Sequence, residues 1–475
     1  MDVQLTNPIY KIVGQAADEL GVRAFAVGGV VRDYFLQRHC TDIDFVCVGN
    51  GIELAKAAAR LVGHNTEVHV FKNFGTASFH YRNGDENLQI EFVGARKESY
   101  HFESRKPVVT DGTLEDDQNR RDFTINAMAV SVNADSFGML VDPFGGIQDL
   151  DKGIIKTPLE PGITFSDDPL RMMRAIRFAT QLGFDIEPET FAAIRQYADR
   201  IKIVSAERIT TELNKILLSP VPSIGFRLLM DDRLLPIIMP DLAKMKGVDT
   251  VGQRGHKDNF FHTLKVLDNV AENSDDLWLR WTALLHDIGK PACKRYDEKL
   301  GWTFHGHEAK GSHMVKRIFT SLKLPLDAKM KYVEKLVMLH MRPIVLSEDI
   351  VTDSAVRRLL FEAGDDIEDL MTLCEADITS RNEQKVKRHL ANFQLVRQKL
   401  KELEEKDHIR NFQPPISGED IMKTFNLTPC REIGIIKDAI KDAILDGVIP
   451  NERESAWKMM MEEAQKLGLT PVEGC

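Results

Sequence analysis

The chain has 475 residues, 43% of them hydrophobic and 28% charged, a globular balance at a length beyond one hydrophobic core, so two to four domains are expected. A formal net charge of -10 argues against indiscriminate nucleic-acid binding but leaves room for a local basic groove. No apolar run approaches the ~18–20 residues that span a bilayer, MDVQLTNPIYKIVGQ lacks a signal-peptide layout, and the six cysteines form no C-x-x-C pair, so a cytoplasmic protein without a membrane partner, zinc knuckle or disulfide framework is expected.

Up to about residue 140, strand-like runs (RAFAVGG, DIDFVCVG, TASFHYR, LQIEFVGAR, FTINAMAVSVN) interleave with helical patterns such as NPIYKIVGQAADEL and GIELAKAAARLV, which predicts a domain of strands and helices together. Its first chemical signal is VGGVVRD followed by TDIDFVCV. Glycines at 28 and 29 let backbone N–H groups approach an anion, and Arg32 is placed to reach a phosphate. Period-two alternation puts Asp42 and Asp44 on one strand face, roughly 6–7 Å apart, where two like charges need a cation. Two Mg²⁺ ions bridged by this pair would relieve the repulsion, activate a nucleophile and hold a leaving pyrophosphate. Glu91 alternates with Ile90 and Phe92 on a second strand and supplies a third carboxylate. For a bare D-x-D, a solvated strand face is the commoner explanation; the three acids together favour a metal-dependent phosphoryl-transfer site.

Beyond DPFGGIQDLDKGIIKTP the pattern turns helical. DDPLRMMRAIRFATQLG, ETFAAIRQYADRI, SAERITTELNKILLS and SIGFRLLMDDRLL carry apolar residues at three- and four-residue spacing, and strand signals nearly vanish. Asp168 and Arg171 stand three residues apart and are expected on one helix face, continued by Arg174 and Arg177. A carboxylate accepts from an exocyclic amine while a guanidinium donates to ring acceptors, a pair that both cytosine and adenine offer.

GVDTVGQRGHKDN (247–259) reads as a linker into a histidine-rich helical region. There NFFHTLKVL holds His262, RWTALLHDIGKP holds His286 and Asp287, and CEADITSRN holds Asp377. Imidazole and carboxylate together suit a divalent transition metal or Mg²⁺. His307 and His340 are candidates for further ligands. Residues 381–410 carry nine Lys/Arg against five Asp/Glu, as either a solvated helix or a phosphate-contacting surface. FQPPISGED breaks the chain before a last helical module.

These motifs, in this order, closely resemble the class II CCA-adding tRNA nucleotidyltransferases, relatives of the bacterial poly(A) polymerases, over the chain to about residue 220. GGVVRD with DID resembles the catalytic motif, implying Mg²⁺ on Asp42 and Asp44 and triphosphate contacts from Gly28, Gly29 and Arg32. RRDFTINAMA resembles a second motif that reads sugar and phosphates, here Arg120, Arg121, Asp122 and Asn126. DPFGGIQDL resembles a hinge. DDPLRMMRAIRF resembles the nucleotide-selecting helix, in which Asp168 and Arg171 would serve as an amino-acid template and Arg174 and Arg177 would hold the triphosphate. Asp167 stands where the family usually has Glu, and Gln37 where glycine is common. HFESRKPVVTDGTLEDDQN (101–119) reads as a polar loop resembling the element tied to the switch from C to A addition. Glu207 and Arg208 of SAERITTEL are expected to be structural. The order H…HD…D resembles the HD phosphohydrolases, with His307 and His340 as the extra ligands of their binuclear variety.

The resemblance implies a fold of class α+β, a nucleotidyltransferase palm with a mixed sheet followed by helical neck, body, HD and tail parts. Boundaries are expected at 1–140, 141–250, 251–380 and 381–475. The implied function is template-independent addition of CCA to the 3′ end of tRNA from CTP and ATP, with HD phosphohydrolase activity on 2′,3′-cyclic or 2′-phosphate ends. A poly(A) polymerase is the alternative within the class. An HD-type phosphohydrolase with a nucleotide-sensing head is the alternative outside it, and a pure RNA-binding module comes third.

Overall fold

The computed structural model describes residues 2–472 except 64–65, 73–74, 102–103, 252–253, 349–351, 380–381 and 408–412. The chain divides into two compact units, Met1–Pro240 and Asp241–Cys475.

In the first unit, α1 (Pro8–Glu19) starts where Asn7 accepts from the Ile9 N–H, and Pro8 occupies the first turn, where a missing N–H costs nothing. Then follow β1 (Ala24–Val27), α2 (Gly29–Phe35), β2 (Asp42–Cys47), α3 (Gly51–Val62), β3 (His69–Phe71), β4 (Thr76–Asn83) and β5 (Glu86–Gly94). Next come β6 (Arg96–His101), β7 (Ser104–Asp111), α4 (Leu114–Asn119), β8 (Ala129–Ser131) and β9 (Leu140–Val141). Seven strands form one sheet in the order β3-β4-β5-β2-β1-β8-β9. Only β2 and β5 pair in parallel, which makes the sheet mixed as expected.

Alternation decides which face of β2 is dry. Ile43, Phe45 and Cys47 enter the core under α1 and α3 together with Ile90 and Phe92 of β5. The rings of Phe45 and Phe79 lie 5.5 and 5.4 Å from that of Phe92. Burying each such side chain contributes about 2–3 kcal/mol. That apolar face fixes the register, and with it the direction of the acids opposite.

The described residues of 101–119 differ from the expected polar loop, of which 102–103 lie outside the described residues. Among the described residues, β6 and β7 pair as a hairpin, and α4 follows with a capping box in which Thr113 and Asp116 satisfy each other's backbone N–H. FTINAMAVSVN is only partly a strand, its first residues forming a 3₁₀ turn at Thr124–Asn126.

The remainder of the first unit is helical: α5 (Gly146–Lys152), α6 (Pro161–Asp167), α7 (Leu170–Leu182), α8 (Pro188–Tyr197), α9 (Ala206–Leu217) and α10 (Pro222–Asp231). The hinge-like DPFGGIQDL positions α5 through Asp142, which accepts from the Gly146 and Ile147 N–H groups at 2.7 and 3.1 Å.

The second unit is built from helices that include Asn259–Ala271, Leu277–Leu285, His307–Leu322, Ala328–Leu339, Ile367–Ala376 and the long Glu383–Asp407. The expected linker carries two short paired strands, Thr250–Val251 and Arg254–Gly255. No helix among the described residues is long and apolar enough to cross a membrane.

Candidate functional site

The parallel register of β2 on β5 sets Asp44 directly opposite Glu91 and Asp42 opposite Gln89. Three carboxylates therefore share one face of two adjacent strands. Asp42 and Glu91 are exposed, and Asp44 is half-buried. Burial pushes the Asp44 carboxyl up to about 6; Arg121 opposes this, while Glu91 and Asp42 add to it. Gln89 donates to Glu91 at 2.7 Å and steadies the third acid. A hard, all-oxygen set of clustered carboxylates fits Mg²⁺.

The glycine turn lies beside these acids. Gly28 has φ +74°, and a Cβ there would stand 3.1 Å from Arg121 Nη1 and 3.7 Å from Asp44 Oδ2. Glycine thus provides both the left-handed backbone and the close approach of cation and acid.

The expected phosphate-binding arginines converge, and each is oriented by a carboxylate. Arg32 forks onto Asp33 at 2.8 and 3.0 Å and donates to Asn126 Oδ1 at 2.9 Å. Asn126 donates to Asp122, which also accepts from Arg174 Nε at 2.7 Å. Burial opposes ionisation of Asp122, but Arg174 and Asn126 hold its carboxyl at about 2. Arg177 pairs with Glu212 at 2.5 Å; the contact is chiefly ionic because the two atoms are poorly aligned for a hydrogen bond. Arg32, Arg174 and Arg177 lie 5.0, 5.4 and 4.0 Å from the Phe178 ring centroid, so one aromatic ring gathers three guanidinium groups.

Asp168 and Arg171 do not share a helix face as expected. Asp168 ends α6 in an extended conformation and α7 begins at Leu170, because the residue before Pro169 is disfavoured in helical geometry. Asp168 still accepts the N–H groups of Leu170 (side chain, 3.2 Å) and Arg171 (backbone, 3.0 Å), and Arg208 Nη2 lies 3.9 Å from its carboxylate. The buried Arg171 donates to the Arg120 carbonyl at 2.6 Å and to that of Thr164 at 3.4 Å.

Sequence reasoning missed Asp117, Glu212 and Phe178. Asp117 was within reach of it, since its spacing to Arg120 and Arg121 is that of ion pairs on a helix. Glu212 was not, because its partner lies 35 residues earlier on another helix.

In the second unit the six expected metal ligands come together. His286 and His340 cap the C-termini of Leu277–Leu285 and Ala328–Leu339, where Nδ1 donates to the carbonyls of Ala283 (2.8 Å) and Val337 (2.7 Å). His307 Nδ1 donates to Phe304 at 2.9 Å, and His262 Nδ1 meets Thr379 Oγ1 at 2.9 Å. Anchoring each Nδ1 turns each Nε2 lone pair inward. Asp287 divides the group. Its Oδ2 lies 3.5 and 3.3 Å from Nε2 of His262 and His286, and its Oδ1 lies 3.2 and 3.8 Å from Nε2 of His307 and His340. Asp377 lies 2.8 Å from His262 Nε2.

Two three-residue groups therefore share Asp287: His262, His286, Asp287 and Asp287, His307, His340. His286 Nε2 is buried without a hydrogen-bond partner, a cost that a divalent ion would remove. The mixed imidazole and carboxylate set fits a transition metal better than Mg²⁺. Above this centre lies a cavity of about 770 Å³, lined by Lys257, Lys290, Trp302 and Phe304 among others.

Three family models match the chain: a poly A polymerase head domain over residues 24–156, a probable RNA- and SrmB-binding site of polymerase A over 183–246, and an HD domain over 259–382. The chain is 33% identical over 442 residues to an A-adding tRNA nucleotidyltransferase of Deinococcus radiodurans, covering 91% of this chain and 94% of that one. It is 34% identical over 319 residues to a multifunctional CCA protein of Pseudomonas fluorescens, covering 65% and 72%. A crystal structure of a tRNA nucleotidyltransferase with a primer tRNA and an incoming ATP analog is similar at a TM-score of 0.56 and 27% identity, covering 81% of this chain and 98% of that one.

Proposed function

Because this chain belongs to the tRNA nucleotidyltransferase family and carries an HD domain, we propose that it extends the 3′ end of tRNA, adding CMP, CMP and AMP from CTP and ATP without a nucleic-acid template. The observation that carries this reading is the pairing of Asp44 with Glu91 beside Asp42, next to the Gly28 turn and Arg121.

The tRNA 3′-hydroxyl attacks the α-phosphate of the bound nucleotide, and pyrophosphate leaves. Held by Asp42 and Asp44, Mg²⁺ would activate the attacking oxygen and neutralise the leaving group. Glu91, opposite Asp44, assists the orientation or the deprotonation of the hydroxyl. Arg32, Arg121, Arg174 and Arg177 stabilise the triphosphate, each preorganised by a carboxylate so that it need not reorganise as charge develops. Asp168 and Arg171 read the base edge, with Arg171 leaving the Arg120 carbonyl to do so. The finer division at 1–140, 141–250, 251–380 and 381–475 belongs to this reading.

A second reading, addition of AMP alone, is favoured by the name of the Deinococcus radiodurans relative, which matches over nearly its whole length. Purified enzyme given tRNA lacking CCA, tRNA ending in CC, and unstructured RNA, with CTP and ATP separately and together, tests both. Three nucleotides added to the first substrate support CCA addition. Use of only the CC-ended tRNA supports A addition. Long A-tracts on unstructured RNA, or no transfer to any substrate, overturn the proposal.

The HD centre is proposed to be a phosphohydrolase acting on 2′,3′-cyclic or 2′-phosphate RNA ends. Its ion, held by His262, His286, Asp287 and Asp377 with His307 and His340 on the far side of Asp287, would supply a hydroxide at neutral pH and polarise the phosphoryl group. No metal in the purified protein, and no cleavage of 2′,3′-cAMP with added Ni²⁺, Mn²⁺ or Mg²⁺, would overturn this part.

A further inference from the structure

The fully buried carboxylate of Asp117 in α4 is not among the groups assigned to metal, substrate or base above, yet it touches both arginines of the second motif. Its Oδ2 accepts from Arg121 Nε at 3.1 Å and Nη2 at 2.9 Å. This fork uses one edge of the guanidinium and leaves Nη1 directed over the Gly28 turn, next to Asp44. Its Oδ1 accepts from Arg120 Nε at 3.0 Å. Arg120 is the C-terminal cap of α4, and its carbonyl receives Arg171 Nη2 at 2.6 Å. One side chain therefore fixes a cation on the phosphate side of the site and the carbonyl that holds the base-reading arginine.

A six-residue helix does not hold this geometry by propensity. The Thr113–Asp116 box secures its start, and buried Gln118 ties it to the carbonyls of Ala127 and Val141 at 2.8 and 3.1 Å. Those contacts do not involve Asp117. They leave α4 anchored when its charge is removed.

We propose that Asp117 is a positioning residue for nucleotide binding and base choice, aiming Arg121 at the triphosphate and setting the resting place of Arg171 through the Arg120 carbonyl. The assignment rests on the nucleotidyl-transfer reading. Direct binding of ATP and GTP to the full chain separates the two. A wild type that binds ATP but transfers nothing defeats the reading, while its affinities still test Asp117.

The experiment compares wild type with Asp117→Asn for ATP and GTP dissociation constants, kcat and KM for ATP, and thermal midpoint. Loss of a charge-assisted fork is expected to raise the ATP dissociation constant and KM about tenfold or more, with a smaller change in kcat and a reduced preference for ATP over GTP. A merely structural role lowers the midpoint and leaves both affinity and preference in place. Should Asp117→Asn fail to fold, the double variant Asp117→Asn/Arg120→Gln removes the buried carboxylate charge together with the partly exposed cation beside it, and is measured against Arg120→Gln. Wild-type ATP affinity, or a wild-type preference for ATP, overturns the proposal.

Discussion

Replacing Glu212 by Gln is the sharpest test of how the site's cations are held. Arg177 and Glu212 lie 2.5 Å apart with side chains only 10% and 5% exposed, so this is a buried ion pair and water does not screen it. Burial lowers the Arg177 pKa and Glu212 opposes that effect. Glu212→Gln keeps the shape and leaves a buried, uncompensated guanidinium, at a cost of about 3–5 kcal/mol. In a unit the size of Met1–Pro240, each kcal/mol shifts the midpoint by about 2–4 °C, so a fall of about 6–20 °C is expected. Calorimetry of the full chain reads it. All four tryptophans, Trp278, Trp281, Trp302 and Trp457, lie in the second unit, so tryptophan fluorescence identifies which transition belongs to that unit. The double variant Arg177→Met/Glu212→Met removes both charges and is expected to lie near wild type or above it. A shift under about 2 °C for Glu212→Gln would refute the reasoning, because the pair would then be behaving like a screened surface contact.

Asp44→Asn is expected to lower nucleotide addition at least about a thousandfold while HD hydrolysis continues; loss of both in a folded variant, measured side by side, contradicts two independent sites. Gly28→Ala places a methyl against Arg121 at a φ of +74° and is expected to cost about 1–2 kcal/mol of stability and to raise KM for ATP; an unchanged KM argues against the close approach. Asp232 is buried with neither oxygen bonded, and burial pushes its carboxyl up to about 8. The unfolded chain loses this proton near pH 4 and the folded chain only near 8, so the stabilising contribution is full below about pH 4 and falls as pH rises through 8. Asp232→Asn is expected to flatten that fall, by about 4 kcal/mol at pH 7; urea titrations of both proteins from pH 5 to 9 that stay parallel would contradict it. His286→Ala is expected to lower the bound metal content of the purified protein, read by elemental analysis; unchanged stoichiometry removes His286 from the centre.

Period-two alternation in TDIDFVCV and LQIEFVGAR was enough to place Asp42, Asp44 and Glu91 on polar strand faces, because a strand has only two sides. The H…HD…D order likewise named four residues that the fold brings together, with His307 and His340, added by the resemblance to the binuclear variety, beside them. What those patterns lacked was register and distance. No local signal says that β2 and β5 pair in parallel with Asp44 opposite Glu91; long-range packing of Ile43, Phe45, Ile90 and Phe92 under α1 and α3 decides it. Nor does spacing show that Asp168 lies outside the helix of Arg171, where a single proline overrides the three-residue period.

The sequence by itself determined which residues carry charge and which faces are polar, since composition and periodicity are local. The tertiary structure alone decided that Arg174 and Arg177 meet carboxylates from other elements, Asp122 and Glu212, and that Asp287 divides the candidate HD ligands into two groups. Those pairings are contacts between distant segments, and only a packed, partly dry interior makes them strong enough to hold a cation in place.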